Sequence, residues 1–276
     1  MHWIDTSGSG SVSSAGNRGN DAFSINGSAV MYDVGKILKA GGAPAYSDAD
    51  ANASAYLIDI NSGVRVTQLA PMGYPRGFAN AVVLPNGQVI IVGGQTHPVP
   101  FTDSTAVLMP EIWDPKTRVF KRLAPMKTPR TYHSTAILLT DGRVWVGGGG
   151  QCGQGCTANH FDAEILSPPY LFNGDGSPAV RPRITKVASR ISLGAMLPIA
   201  TDGPVACFTL VRLSSVTHTV NNDQRRIPLK ILSTSGATAY TVQIPADPGV
   251  TLPGYYMLFA LNGYGVPSVA STVAIN

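Results

Sequence analysis

A tyrosine and a histidine stand side by side at Tyr132-His133, and a third donor, His218, lies in the polar segment Thr217-His218-Thr219-Val220-Asn221-Asn222-Asp223-Gln224-Arg225-Arg226. A phenol oxygen and two neutral imidazole nitrogens form a ligand set that suits copper or iron. Adjacent strand residues point to opposite faces, so Tyr132 and His133 can share one ion only where the backbone bends at a strand entry. The junction just after Pro129-Arg130 is such an entry. Taken alone, a Tyr-His dipeptide more often packs than ligates, and a lone loop histidine is more often a surface residue. The metal reading therefore depends on elements that return residue 218 to residue 132.

Those elements announce themselves as a repeat. Ala29-Val30-Met31-Tyr32-Asp33 leads through Gly35 and Lys36-Ile37-Leu38 to Gly41-Gly42. Ala81-Val82-Val83-Leu84, Asn86-Gly87 and Val89-Ile90-Ile91-Val92 lead to Gly93-Gly94. Thr135-Ala136-Ile137-Leu138, Asp141-Gly142 and Val144-Trp145-Val146 lead to Gly147-Gly148. Each unit reads as strand, tight turn, strand and paired glycines, recurring about every fifty residues, which is the kelch pattern of one propeller blade per repeat. Leu69-Ala70-Pro71-Met72 and Leu123-Ala124-Pro125-Met126 close successive units, followed by Pro75-Arg76 and Pro129-Arg130.

After the third unit the pattern changes. A connector rich in turn residues, Asn173-Gly174-Asp175-Gly176-Ser177-Pro178, precedes short apolar runs at 205–213, 228–232, 239–245, 255–261 and 269–275. These predict an immunoglobulin-like β-sandwich. The expected fold is all-β, with blades of a kelch β-propeller over residues 1–178 and the sandwich over 179–276. Closed propellers have about four to eight blades. Three blades do not close a ring, so the expectation is that an upstream segment or a companion chain completes it.

Composition narrows the function classes. Charged residues are 13% of the chain and hydrophobic ones 44%, with 30 Gly and 21 Pro, as suits many short strands and turns. The net charge of +4 is scattered, which argues against a nucleic-acid partner. No apolar run reaches the roughly 18 residues that cross a bilayer, and residues 1–5 lack the pattern of a signal peptide. Either such a segment was removed or the chain begins partway into a larger one. Cys152 and Cys156 read as a tight disulfide, with a Cx3C metal pair as the weaker alternative; Cys207, in an apolar run, reads as a buried thiol. Asn26-Gly27-Ser28 and Asn52-Ala53-Ser54 fit the glycosylation sequon.

Several long motifs carry a family likeness. Tyr132-His133-Ser134 with Gly147-Gly148-Gly149-Gly150, Asn159-His160-Phe161-Asp162-Ala163, His218-Thr219-Val220-Asn221-Asn222-Asp223-Gln224-Arg225-Arg226-Ile227-Pro228 and Pro253-Gly254-Tyr255-Tyr256-Met257 resemble the galactose oxidase and glyoxal oxidase family of copper radical oxidases. The likeness runs through nearly the whole chain. It implies one copper ion held by Tyr132, His133 and His218, with Tyr132 also accepting the proton of a primary alcohol. It further implies a Cys-Tyr radical cofactor, dioxygen as oxidant and hydrogen peroxide as product. Tyr46 and Phe101 match positions lining the substrate pocket of that family. Ser47 stands where galactose oxidase has a glutamine that contacts sugar, which favours a smaller or less polar alcohol or aldehyde.

None of the three cysteines matches the cross-linked one, so the radical pair is expected upstream and the chain alone is expected to be catalytically incomplete. The likeness also implies a secreted, extracellular protein. It gives His160 a structural hydrogen-bonding role. His2 and His97 read as solvent or pocket-edge residues, and Gln224, Arg225 and Arg226 as a network that supports the His218 loop, since a loop carrying a ligand needs such support. The rival reading is a non-catalytic kelch-plus-sandwich module that binds glycan or protein.

Overall fold

The computed structural model describes every residue, Met1–Asn276. It is all-β, with a propeller-like part followed by a β-sandwich. A hairpin of β1 (His2–Asp5) and β2 (Ser11–Ser14) pairs only with itself. The first repeat is a four-stranded meander of β3 (Ser28–Asp33), β4 (Lys36–Ala40), β5 (Ala55–Asp59) and β6 (Arg65–Gln68). The second repeats that order as β7 (Gly77–Val83), β8 (Val89–Gln95), β9 (Glu111–Asp114) and β10 (Val119–Arg122). The third has three strands, β11 (Ser134–Leu138), β12 (Val144–Gly148) and β13 (Ala163–Leu166).

Side-chain alternation explains how the repeats stack. Every residue of β7 and β8 is buried. On one face Ala81, Val83 and Ile91 join Val30 and Leu38 of the first repeat. On the other, Val82, Ile90 and Val92 join Ala136, Val144 and Val146 of the third. The middle sheet is thus flanked on both sides, whereas β11 and β12 are only partly buried. Each fully buried aliphatic side chain contributes about 1.5–3 kcal/mol relative to exposure.

The Pro-Arg pairs serve as buried clamps. Arg76, 1% exposed, donates to the Gly93 carbonyl at 2.8 Å, to the Met109 carbonyl and to Glu111 at 2.8 Å. Arg130, fully buried, donates to the carbonyls of Gly148 at 3.0 Å and Asp162 at 3.1 Å and to the Asp162 carboxylate at 2.9 Å. Such pairing is what makes a buried guanidinium tolerable.

The glycine pairs differ in conformation between repeats. In the first two repeats Gly41-Gly42 and Gly93-Gly94 are left-handed. In the third, Gly148, Gly149 and Gly150 are left-handed and Gly147 is not. Gly147 pairs with Thr135 inside the ladder, where the second repeat has Val92 opposite Asn80. The third repeat is therefore one residue longer at its entry.

The sandwich comprises β14 (Ile184–Val187), β15 (Arg190–Ile191), β16 (Met196–Thr201), β17 (Cys207–Arg212), a small hairpin of β18 (Ser215–Thr217) and β19 (Val220–Asn222), then β20 (Arg226–Ser235), β21 (Ala239–Gln243), β22 (Gly254–Leu261) and β23 (Ser271–Ile275). The long strand β20, bulged between Ile231 and Ser233, pairs with β17 at one end and β21 at the other, so it links the two layers. Leu197, Phe208, Leu210, Val242, Tyr256 and Val273 are among the side chains packed between them.

The opposite face of β17 and β22 docks on the repeats. Val211, Met257, Phe259 and Leu261 share a core with Val30, Tyr32 and Trp113. Cys207 only packs against this core and is half-buried rather than buried, which corrects the expectation; burial pushes its thiol pKa up. Gln224 fastens the seam: its Nε2 donates to the Ala81 carbonyl at 2.7 Å and its Oε1 accepts from the Val83 amide at 3.1 Å. Arg226 donates to the Pro85 carbonyl at 2.7 Å.

Candidate metal centre

The bend required at the Tyr-His entry is present. The residues entering the three inner strands, Asn26, Phe78 and His133, all have positive φ, at 60°, 56° and 66°. A left-handed residue at a strand entry breaks the alternation of faces. At β11 it lets Tyr132 and His133 face the same way, and their rings stack with centroids 3.9 Å apart.

His218 arrives on the β18–β19 hairpin. Thr217 pairs with Val220, so His218-Thr219 is a two-residue turn, and both residues have positive φ, 52° and 63°. Such turns favour Asn-Gly, and a β-branched threonine there is strained. Backbone strain of this kind costs about 1–3 kcal/mol per residue and gathers where geometry serves function. The turn brings the His218 ring to 4.6 Å from that of His133 and 5.7 Å from that of Tyr132. The three side chains named from the sequence thus stand around one centre, drawn from both halves of the chain.

Their partners leave usable donors. The Nδ1 of His133 lies 2.9 Å from the Gly150 carbonyl. A carbonyl only accepts, so Nδ1 carries the proton and, in the neutral ring, the Nε2 lone pair is free. The Nδ1 of His218 is 2.7 Å from the Thr217 hydroxyl, which again leaves Nε2 unengaged. Two imidazole nitrogens without a protein partner and a phenol oxygen about one centre are donor types that fit copper. No cluster of three His, Cys, Asp or Glu side chains offers an alternative metal site.

The wall around this centre is aromatic. Phe101 stands 5.2 Å from Tyr132 and 5.7 Å from His133, and Tyr46 stands 6.0 Å from Tyr132, by ring centroids. Phe78 completes it, 4.9 Å from Tyr132 and 5.4 Å from Tyr46. Phe78 was not singled out from the sequence, although it follows Pro75-Arg76 much as Tyr132 follows Pro129-Arg130. Burial first, then the hydrogen bond and charge of Tyr132, pushes the Tyr46 hydroxyl up to about 12.

The remaining histidines lie outside this group. His160 pairs with the Asp103 carboxylate at 2.9 Å and ties the Phe101 loop to the third repeat. His97 is partly exposed and bridges Asp50 and Asp48, at 2.7 and 3.1 Å; hydrogen bonds to those two carboxylates, Asp50 foremost, push its pKa up. His2 is exposed on β1. Cys152 and Cys156 form a disulfide, as expected from their spacing.

A propeller-like array joined to a β-sandwich, with a phenol and two imidazoles meeting at the seam, defines a β-protein with a candidate metal centre. Comparison with known proteins places it further. Residues 27–167 match the family profile "Glyoxal oxidase N-terminus" and residues 181–275 match "Galactose oxidase-like, Early set domain". The whole chain is 47% identical to a galactose oxidase of Gibberella zeae, covering 42% of that protein. Over 79% of its length it is 32% identical to the aldehyde oxidase GLOX1 of Arabidopsis thaliana, covering 38% of it.

A fungal alcohol oxidase of the AA5 family, solved in complex with copper, superposes on the full chain with a TM-score of 0.97 and 45% identity; the chain covers 59% of it. The chain belongs to the galactose oxidase and glyoxal oxidase family. It spans less than half the length of the galactose oxidase and of GLOX1.

Proposed function

We propose that this chain is the C-terminal portion of a copper radical oxidase that converts a primary alcohol to the aldehyde, or an aldehyde, taken as its hydrate, to the acid. Dioxygen takes up the two electrons and two protons removed and leaves as hydrogen peroxide. The observation that carries the reading is the convergence of the Tyr132, His133 and His218 rings.

His133 and His218 would hold copper through their Nε2 atoms, and Tyr132 through its phenol oxygen. Copper bound there would supply Lewis acidity toward the substrate oxygen and one-electron redox capacity, with the second electron's capacity expected from a Cys-Tyr radical on an upstream segment. Tyr132 accepts the hydroxyl proton of the substrate. Tyr46, Phe78 and Phe101 orient the alcohol carbon and exclude water, and Ser47 favours a small or weakly polar substrate.

The upstream segment belongs to the proposal as well. The outer edge of β13 has no fourth strand, and Ile4, Ala29 and Phe161 are exposed beside the flanking sheets. Unpaired strand edges invite pairing with another chain. The disulfide suits a secreted, oxidising setting.

A peroxide assay on small primary alcohols tests this reading. The copper-loaded chain alone is expected to give none, and the chain joined to its upstream segment to give peroxide that is lost in Tyr132→Phe. Turnover by the isolated chain would show that the radical is not upstream. Absence of copper binding would leave the non-catalytic module.

A further inference from the structure

Resting on the proposal that His133 ligates copper, we propose that the Cys152–Cys156 hairpin, with Asn159, is a positioning element for His133 acting through Gly150. Gly150 touches both members of the ligand pair. Its amide donates to the Tyr132 carbonyl at 3.0 Å, and its carbonyl accepts from His133 Nδ1 at 2.9 Å. No other residue can take its place without displacement. Its φ is +78°, and a Cβ there would meet the Ala158 carbonyl oxygen at 2.3 Å and Asn159 Oδ1 at 2.6 Å. Gly150 is therefore wedged between the Tyr132-His133 pair and the returning base of the hairpin at Ala158 and Asn159.

What holds the hairpin is not an apolar core. Gln151, Gly153, Gln154, Gly155 and Thr157 are exposed and belong to no strand; Ala158 is the buried residue at its base. The disulfide closes the loop covalently. Asn159 closes it a second time, accepting from the Cys152 amide at 3.1 Å and donating to the Gly153 carbonyl at 2.7 Å. Cys156 Sγ also rests 3.9 Å from the Phe101 carbonyl oxygen, so the same hairpin leans on the pocket wall.

The chemical consequence is a fixed proton. While the Gly150 carbonyl is held in place, the His133 ring keeps its proton on Nδ1 and presents Nε2 to the metal. Freeing the hairpin lets the carbonyl move, and the ring can then turn or exchange tautomers. Removing partners of ligating histidines typically lowers metal affinity roughly 10–100-fold.

The test has two readouts. In the copper-free protein, nitrogen NMR of the His133 ring is expected to show a single Nδ1–H tautomer. Mixed tautomers are expected in the Cys152→Ser/Cys156→Ser double variant, and in Asn159→Ala, which keeps the disulfide should the double variant fold poorly. Copper affinity, measured by competition calorimetry, is expected to fall roughly 10–100-fold in both. Gln154→Ala, at the exposed tip, is expected to match wild type. An unchanged tautomer and unchanged copper affinity in both hairpin variants would overturn the proposal. If the tautomers respond as expected but the wild-type chain binds no copper, the copper reading fails and the positioning role stands.

Discussion

At the entry to β7, Gly77 alone separates the anchored Arg76 from the left-handed Phe78. At the entry to β11, Thr131 and Tyr132 separate the equally anchored Arg130 from the left-handed His133. The clamps match: Arg76 grips the Gly93 carbonyl and Arg130 the Gly148 carbonyl, at corresponding points of the two ladders. One added residue therefore separates an entry that presents a single aromatic from one that presents a phenol and an imidazole together. Repetition supplies the scaffold, and a departure from it supplies the donors.

Shortening the third entry to the length of the second should break this difference most completely. Deletion of Thr131 is expected to abolish copper binding, because Tyr132 would take the place that Gly77 holds, directly after the anchored arginine, and His133 would be left as the single ring presented, in the place of Phe78. Calorimetric titration of copper into the variant checks this, with far-ultraviolet circular dichroism to show that the strands remain. Retained affinity would mean that the added residue does not set the geometry.

The clamps themselves differ in surroundings and should differ in cost. Glu111, the partner of Arg76, is almost fully buried, whereas the Asp162 side chain is 54% exposed. Arg76→Ala leaves a carboxylate buried without its partner and is expected to cost about 3–5 kcal/mol. Arg130→Ala leaves one that water can reach and is expected to cost about 1–3 kcal/mol. Urea unfolding of the pair orders them.

The His218-Thr219 turn contrasts with a turn optimised for stability alone. Replacing it by Asn-Gly is expected to raise unfolding free energy by about 1–3 kcal/mol while removing copper affinity. Thermal melts and metal titration should therefore move in opposite directions.

The smallest effect is acidic. Hydrogen bonds from Thr128 first, then Arg130, hold the Asp162 carboxyl below its ordinary value of 3.8. Its contribution is therefore present above pH 3.8 and is lost as the pH falls through the depressed value. Asp162→Asn should flatten that part of the acid unfolding curve.

Much of this was legible in the chain. The strand–turn–strand–glycine repeat located the inner strands, and Tyr132, His133 and His218 were named before any fold was in hand. The register of the third repeat was not legible, for a local reason. Residues 147–150 are four glycines in a row, so nothing in their identity says which of them stays in the ladder and which turn left-handed. The ladder decides it, through Thr135 opposite Gly147. The Gly150 carbonyl was invisible for a related reason, since a backbone acceptor leaves no residue-type signal. Phe78 was legible in principle, from its place after Pro75-Arg76, but a phenylalanine carries no metal chemistry to draw attention to it.

The arrangement is tested most directly by electron paramagnetic resonance of the copper-loaded chain. A type-2 Cu(II) signal with hyperfine splitting from two imidazole nitrogens is expected in the wild type, reduced to one nitrogen in His218→Ala. A wild-type spectrum equal to that of free copper in buffer, or one that His218→Ala leaves unchanged, would contradict a centre shared between the third repeat and the sandwich.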